Sequence, residues 1–128
     1  ICAEIENQIM ELDPKDRKYF MTETGIKKTG LDLLIKTGYK ILKLITFFTT
    51  TPKETRAWTI SKQCRAIKAA GLINSDFEKG FIKAETISYD DFVLYKGYNE
   101  AKNSGKLRLE GKDYIVKDGE ILYFRFST

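Results

Sequence analysis

The sequence has no histidine, and its two cysteines, Cys2 and Cys64, stand far apart and share no motif. The missing histidine excludes Ser-His-Asp and Cys-His catalysis, histidine acid–base chemistry and every histidine-based metal site. Two isolated cysteines cannot build a structural zinc site. They also argue against a disulfide scaffold and for a reducing, cytoplasmic setting. Long apolar runs are missing too: Lys40 and Lys43 interrupt the best candidate, around 41–48, so no membrane partner is expected. No signal peptide is visible.

Phosphate-binding motifs are absent as well. A phosphate-cradling loop needs Gly, four residues and then Gly-Lys-Ser/Thr. Gly105-Lys106 is followed by Leu107, and Gly111-Lys112 by Asp113. There is no Asp-x-x-Gly switch and no Asn-Lys-x-Asp base-recognition motif. The carboxylate pairs Glu4/Glu6, Asp90-Asp91 and Asp118/Glu120 lack apolar pockets or partners that would give them chemistry, and Asp90-Asp91 reads as a helix cap. The chain by itself therefore has no expected catalytic residue, metal or cofactor.

What remains is a chain of 128 residues, 42% hydrophobic and 31% charged, with a net charge of +4. That is the composition of a globular protein with a mild lean toward anionic partners. The first residue is Ile1, which leads to the expectation that the chain is a piece of a longer protein.

The first part reads as helical. Residues 3–12 place Ile5, Ile9 and Leu12 on one face. Asp13-Pro14 restarts the chain as cap and first helical residue, with Asp16 in the capping-box position and Gly25 as a stop. A third helix over 30–44 is expected to bury Leu31, Leu34, Ile35, Gly38, Ile41, Leu42 and Ile45, with Lys36, Lys40 and Lys43 opposite. At Thr46 the period changes from helical to alternating. Residues 46–50 and 54–60 read as a hairpin across Thr51-Pro52-Lys53. A helix over 66–73, a strand over 80–88, a helix over 89–104 broken at Gly97 and a strand over 106–110 follow. A hairpin of 114–117 with 121–126 across Asp118-Gly119 closes the pattern. The expected fold is α+β: a ubiquitin-like β-grasp over 46–128, preceded by a helical segment over 1–45.

Basic and aromatic residues interleave around the first hairpin and the helix after it. Lys53, Arg56, Lys62, Arg65 and Lys68 are the candidate contacts to RNA phosphates, made by charge without sequence reading. Trp58 either stacks on a base or packs beneath the hairpin, and packing is the preferred reading.

The stretch Lys53-Glu54-Thr55-Arg56-Ala57-Trp58-Thr59-Ile60 resembles K-E-V-R-A-W-T-I of the YchF-type (Obg-like) ATPases. Ala69-Ala70-Gly71, the run Asp76-Phe77-Glu78-Lys79-Gly80-Phe81-Ile82, Tyr89-Asp90-Asp91-Phe92 and the run from Glu110 to Glu120 follow in the family's order. Gly30-Leu31 and Gly38-Tyr39 lie where the family has P-G-L and A-G-Y. The resemblance covers essentially the whole chain. It departs from the family's pattern at Ser61, Gln63, Cys64, Arg65, Ile67 and Asn74, where a glycine lost at Gln63 would cost up to about 1 kcal/mol if φ there were positive.

The resemblance implies a TGS domain over 46–128, behind the end of an Obg-like P-loop nucleotide-binding domain over 1–45. It further implies a redox-regulated, ribosome-associated enzyme that hydrolyses ATP in preference to GTP with magnesium. Ribosome contact, through the large subunit or rRNA, is the implied partnership, with no DNA. Cys2 and Ala3 are the only residues it places beside the nucleotide. Two other readings stay open: a free-standing β-grasp adaptor, and a degenerate truncated gene product.

Overall fold

A computed structural model describes residues 1–127. The chain divides into two compact units, one of residues 1–42 and one from Lys43 onward.

The first unit holds α1 (Ala3–Glu11), α2 (Pro14–Glu23) and α3 (Gly30–Ile41). Asp13 caps α2 as the sequence predicts, accepting from the N–H groups of Lys15 and Asp16. Gly25, at φ +70°, ends α2. Its N–H donates to Thr22 and that of Ile26 to Met21, which satisfies the last free carbonyls. Arg17 in α2 donates to the carbonyls of Ile9, Met10 and Leu12 at the end of α1. Ile9 is buried. The apolar stripe of α3 is not: Leu31, Leu34, Ile35, Ile41 and Leu42 are all about half or more exposed, and only Gly30 in this helix is buried. The expected burial of that stripe is thus corrected except at Ile45, which is buried, but in a strand that begins at Leu44.

The second unit is a five-stranded mixed sheet with helices. Its strands are β1 (Leu44–Thr50), β2 (Thr55–Ser61), β3 (Phe81–Ile87), β4 (Arg108–Glu110) and β5 (Ile121–Phe126), in the order β2-β1-β5-β3-β4. Between them run α4 (Ala66–Ile73), α5 (Ser75–Lys79), α6 (Tyr89–Leu94) and α7 (Tyr98–Asn103). β1 and β5 are parallel, and every other neighbouring pair is antiparallel. This is the expected α+β architecture, with the strand order of a β-grasp.

Alternation decides which side chains meet α4. Ile45 and Phe47 of β1, Trp58 and Ile60 of β2, Ala84 of β3, and Leu122 and Phe124 of β5 form the core with Ala66 and Ala69. Ala66, Ala69 and Ala70 of α4, all fully buried, let the helix lie close on the sheet. On the opposite face Phe48 meets Tyr89 of α6, and Tyr123 meets Tyr98 of α7. α6 and α7 separate where Lys96 adopts φ 58° before Gly97.

Two sequence expectations fail in this unit. Residues 114–117 do not pair with β5. Asp118-Gly119 does form a turn, but it docks on β1: Thr46 N–H donates to Asp118 Oδ1 at 2.8 Å, and Gly119 N–H to Thr46 C=O at 2.7 Å. β5 is thereby delivered beside β1, while Val116 and Ile115 pair with Cys64 and Arg65. The short helix α5, capped by Asn74, lies where no helix was expected. Gln63 is also free of the strain its loss of glycine suggested, since Lys43 and Lys96 are the only non-glycine residues with positive φ among those described.

Candidate functional site

The predicted basic residues all lie in the second unit, on and after β2. Lys53 sits in the β1–β2 turn, Arg56 on β2, Lys62 just past its end, Arg65 at the N-cap of α4 and Lys68 one turn further; all are exposed. Their charges are not equivalent. Arg56 pairs with Glu54 at 3.1 Å, Arg65 with Asp113 at 3.1 Å and Lys68 with Glu78. Among the described residues Lys53 and Lys62 have no ion pair. The surface therefore offers two uncompensated cations, one at each end of β2, and three cations that must leave a carboxylate to bind anything else. Exposed pairs of this kind are weak, about 0–1 kcal/mol, so exchange for a phosphate is cheap.

The N-terminus of α4 is already occupied. Ala66 N–H donates to Tyr114 C=O at 2.8 Å and Ile67 N–H to Lys112 C=O at 3.3 Å. The loop 111–117 thus takes the place that an anion would fill at a free helix start. Two groups hold this loop. Arg65 binds Asp113, and the buried Glu120 collects Arg108, the hydroxyl of Tyr114 at 2.6 Å and the N–H of Lys117 at 2.9 Å. Burial, followed by the hydrogen bond and charge of Glu120, pushes the Tyr114 phenol up to about 12.

A second buried carboxylate, Glu85 on β3, accepts from Tyr98 at 2.7 Å and Arg125 at 2.9 Å. Burial raises its carboxyl, but the hydrogen bonds from Arg125 and Tyr98 and the charges of Arg125 and Lys83 bring it below the usual range. Sequence reasoning noted Glu120 only as one of a carboxylate pair without pocket or partners and passed over Glu85. For Glu85 the available signal was an acidic residue inside a strand; Glu120 lies just before β5 and gave no such signal. Both carboxylates accept hydrogen bonds from neighbouring elements and anchor structure.

Trp58 packs as preferred. Its ring stacks on Phe47, with centroids 6.4 Å apart, and Nε1 donates to Thr49 Oγ1 at 2.9 Å. It also forms part of the wall of an open cleft of about 320 Å³ with Ile73, Phe77 and Phe124. Cys64 is half-buried; burial pushes its thiol up and Lys68 partly offsets this. In the first unit Cys2 is the exposed N-cap of α1 and Ala3 its first residue, and Ala3 lines a shallow cavity with Glu6, Met10 and Leu34. Among the described residues no helix is long and apolar enough to cross a membrane, and no group of cysteine and carboxylate side chains is placed to hold a metal ion.

Three kinds of comparison with known proteins agree. Residues 44–127 match the family model YchF-GTPase_C, described as a protein of unknown function (DUF933). The chain is 54% identical over its whole length to the ribosome-binding ATPase YchF of Escherichia coli O157:H7 and 49% identical to that of Bacillus subtilis (strain 168), covering 35% of each. It spans about a third of the length of these relatives. The structure of the Schizosaccharomyces pombe YchF GTPase superposes with a TM-score of 0.81 at 34% identity, over 92% of this chain and 31% of that one.

Proposed function

The chain belongs to the YchF family, and on that premise we propose that it is the ribosome-docking C-terminal part of a P-loop ATPase, acting in the cytoplasm. In this reading the sheet unit is a TGS domain. The three helices before it are the end of the nucleotide-binding domain, with Cys2 and Ala3 beside the base. The exposed apolar face of α3 supports this, because such a face is what a helix shows when the sheet it packs on is elsewhere in a longer protein. ATP and magnesium act in the complete protein, held by residues outside this chain. Any redox control of that protein through this part would act through Cys2 or Cys64.

The observation that carries the docking role is the pairing state of the basic surface. Among the described residues Lys53 and Lys62 are exposed cations without carboxylate partners, and Arg56, Arg65 and Lys68 stand between or beside them in weak surface pairs. Such an array binds a phosphate backbone by charge and releases counterions. The test is pelleting of the chain with purified ribosomes. Lys53→Ala with Lys62→Ala is expected to weaken pelleting more than Arg65→Ala with Lys68→Ala. Equal or reversed effects would place docking elsewhere.

A further inference from the structure

The ion pairs on the basic surface differ in origin. Arg56 meets Glu54, a near neighbour in sequence. Arg65 and Lys68 meet acids that the fold carries in from elsewhere. Asp113 arrives because the loop 111–117 caps α4 through the carbonyls of Lys112 and Tyr114. Glu78 arrives from α5 because Gly71 of α4 has no side chain; a Cβ there would overlap the Glu78 carboxylate. Neither element needs its ion pair to stay in place. The loop keeps Glu120 and its two backbone bonds to α4. α5 keeps its Asn74 cap and the stacking of Phe77 on Phe126, with centroids 4.1 Å apart. The pairs themselves are open to water: the side chains of Arg65, Asp113 and Lys68 are 55%, 76% and 61% exposed. Each acid can swing away without loosening the fold, and each holds a cation that a phosphate would otherwise bind.

We propose that Asp113 and Glu78 are built-in competitors of the anionic ligand at the start of α4. They occupy Arg65 and Lys68 while the surface is empty and release them to a phosphate backbone already engaged by Lys53 or Lys62. The inference concerns the regulation of the docking surface proposed above and rests on that reading. A single anion gains little by displacing a carboxylate, because it exchanges one exposed ion pair for another. A chain of phosphates gains more. Once one phosphate is held at a lysine, the next meets Arg65 or Lys68 at high effective concentration. The two acids thus bias the surface toward polyanions. Acids that instead held the cations in position for the ligand would have the opposite effect when removed.

The probe is a fluorescent oligouridylate of about ten nucleotides, titrated against the whole chain, with ribosome pelleting measured in parallel. Glu78→Gln and Asp113→Asn, with unchanged circular dichroism, should each tighten oligouridylate binding by about two- to fivefold, the range of an exposed ion pair. Glu100→Gln makes the same change in net charge on α7, which packs on the other face of the sheet, and should tighten it less. Gly71→Ala changes no charge but pushes the Glu78 carboxylate off Lys68, so it should tighten binding about as much as Glu78→Gln. Three results would overturn the proposal: no oligouridylate binding by any variant, effects no larger than that of Glu100→Gln, or weaker binding when an acid is removed. Tightening in variants of a chain that does not pellet with ribosomes would uphold the competition and remove the ribosome as partner. Pelleting without a gain from any of the three variants would uphold docking and overturn the competition.

Discussion

The hydroxyl of Tyr114 donates to the carboxylate of Glu120 at 2.6 Å, and that carboxylate also receives Arg108 and the N–H of Lys117. One buried acid thereby holds the loop whose carbonyls cap α4. Glu120→Ala leaves these donors without a partner and is expected to cost about 2–3 kcal/mol, less than a fully buried pair because Arg108 is half-exposed. Tyr114→Phe removes one donor and should cost about 1 kcal/mol. Urea denaturation reads both as a shift in midpoint at unchanged slope. A loss below about 0.5 kcal/mol for Glu120→Ala would show that the loop is held by something else.

Alkaline pH should destabilise the fold through two tyrosines. Burial, with the help of Glu120 for Tyr114 and of Tyr98 for Tyr123, pushes both phenols up to about 12 from an ordinary value near 10. Their folded values lie above the unfolded ones. Their contribution is complete below about pH 10 and is lost as pH rises toward 12. Absorbance at alkaline pH should show a late group of phenols that ionises near pH 12. Tyr114→Phe should shrink the late group. The absence of any phenol that ionises above the ordinary range near pH 10 would contradict the geometry.

Gly80 sits against the C-terminal end of β5. Its carbonyl accepts from Ser127 N–H at 2.8 Å, and a Cβ on Gly80 would overlap the backbone oxygen of Ser127. The obstruction is main chain and cannot swing aside. Gly80→Ala is expected to destabilise by about 2 kcal/mol. Gly38→Ala, where a Cβ meets open space in a helix, should be neutral or stabilising by up to about 1 kcal/mol. Thermal melts of the two variants decide this, and equal melting temperatures would refute the close approach.

The first hairpin, the α+β class and every helix except α5 were legible because each has a local signal. Asp13-Pro14 caps α2, Gly25 stops it, and the alternation of Phe47, Trp58 and Ile60 points to the face that α4 covers. What was not legible is long-range. Asp118-Gly119 carries the local signature of a hairpin, yet its hydrogen bonds go to Thr46, far back in the sequence. The stripe of α3 has the period of a buried face, but periodicity does not say whether the covering structure is present. The basic residues were found by type. Their division into paired and unpaired cations depends on Asp113 and Glu78, which only the fold brings to Arg65 and Lys68.

The most direct test of the account is co-sedimentation of the whole chain with purified ribosomes across a salt series. Docking through exposed lysines and arginines predicts pelleting at low salt that weakens roughly ten- to a hundredfold between 50 and 200 mM, the dependence expected for a few released counterions. Pelleting that is insensitive to salt, or absent at the lowest salt, would contradict a charge-based docking role for this part of the protein.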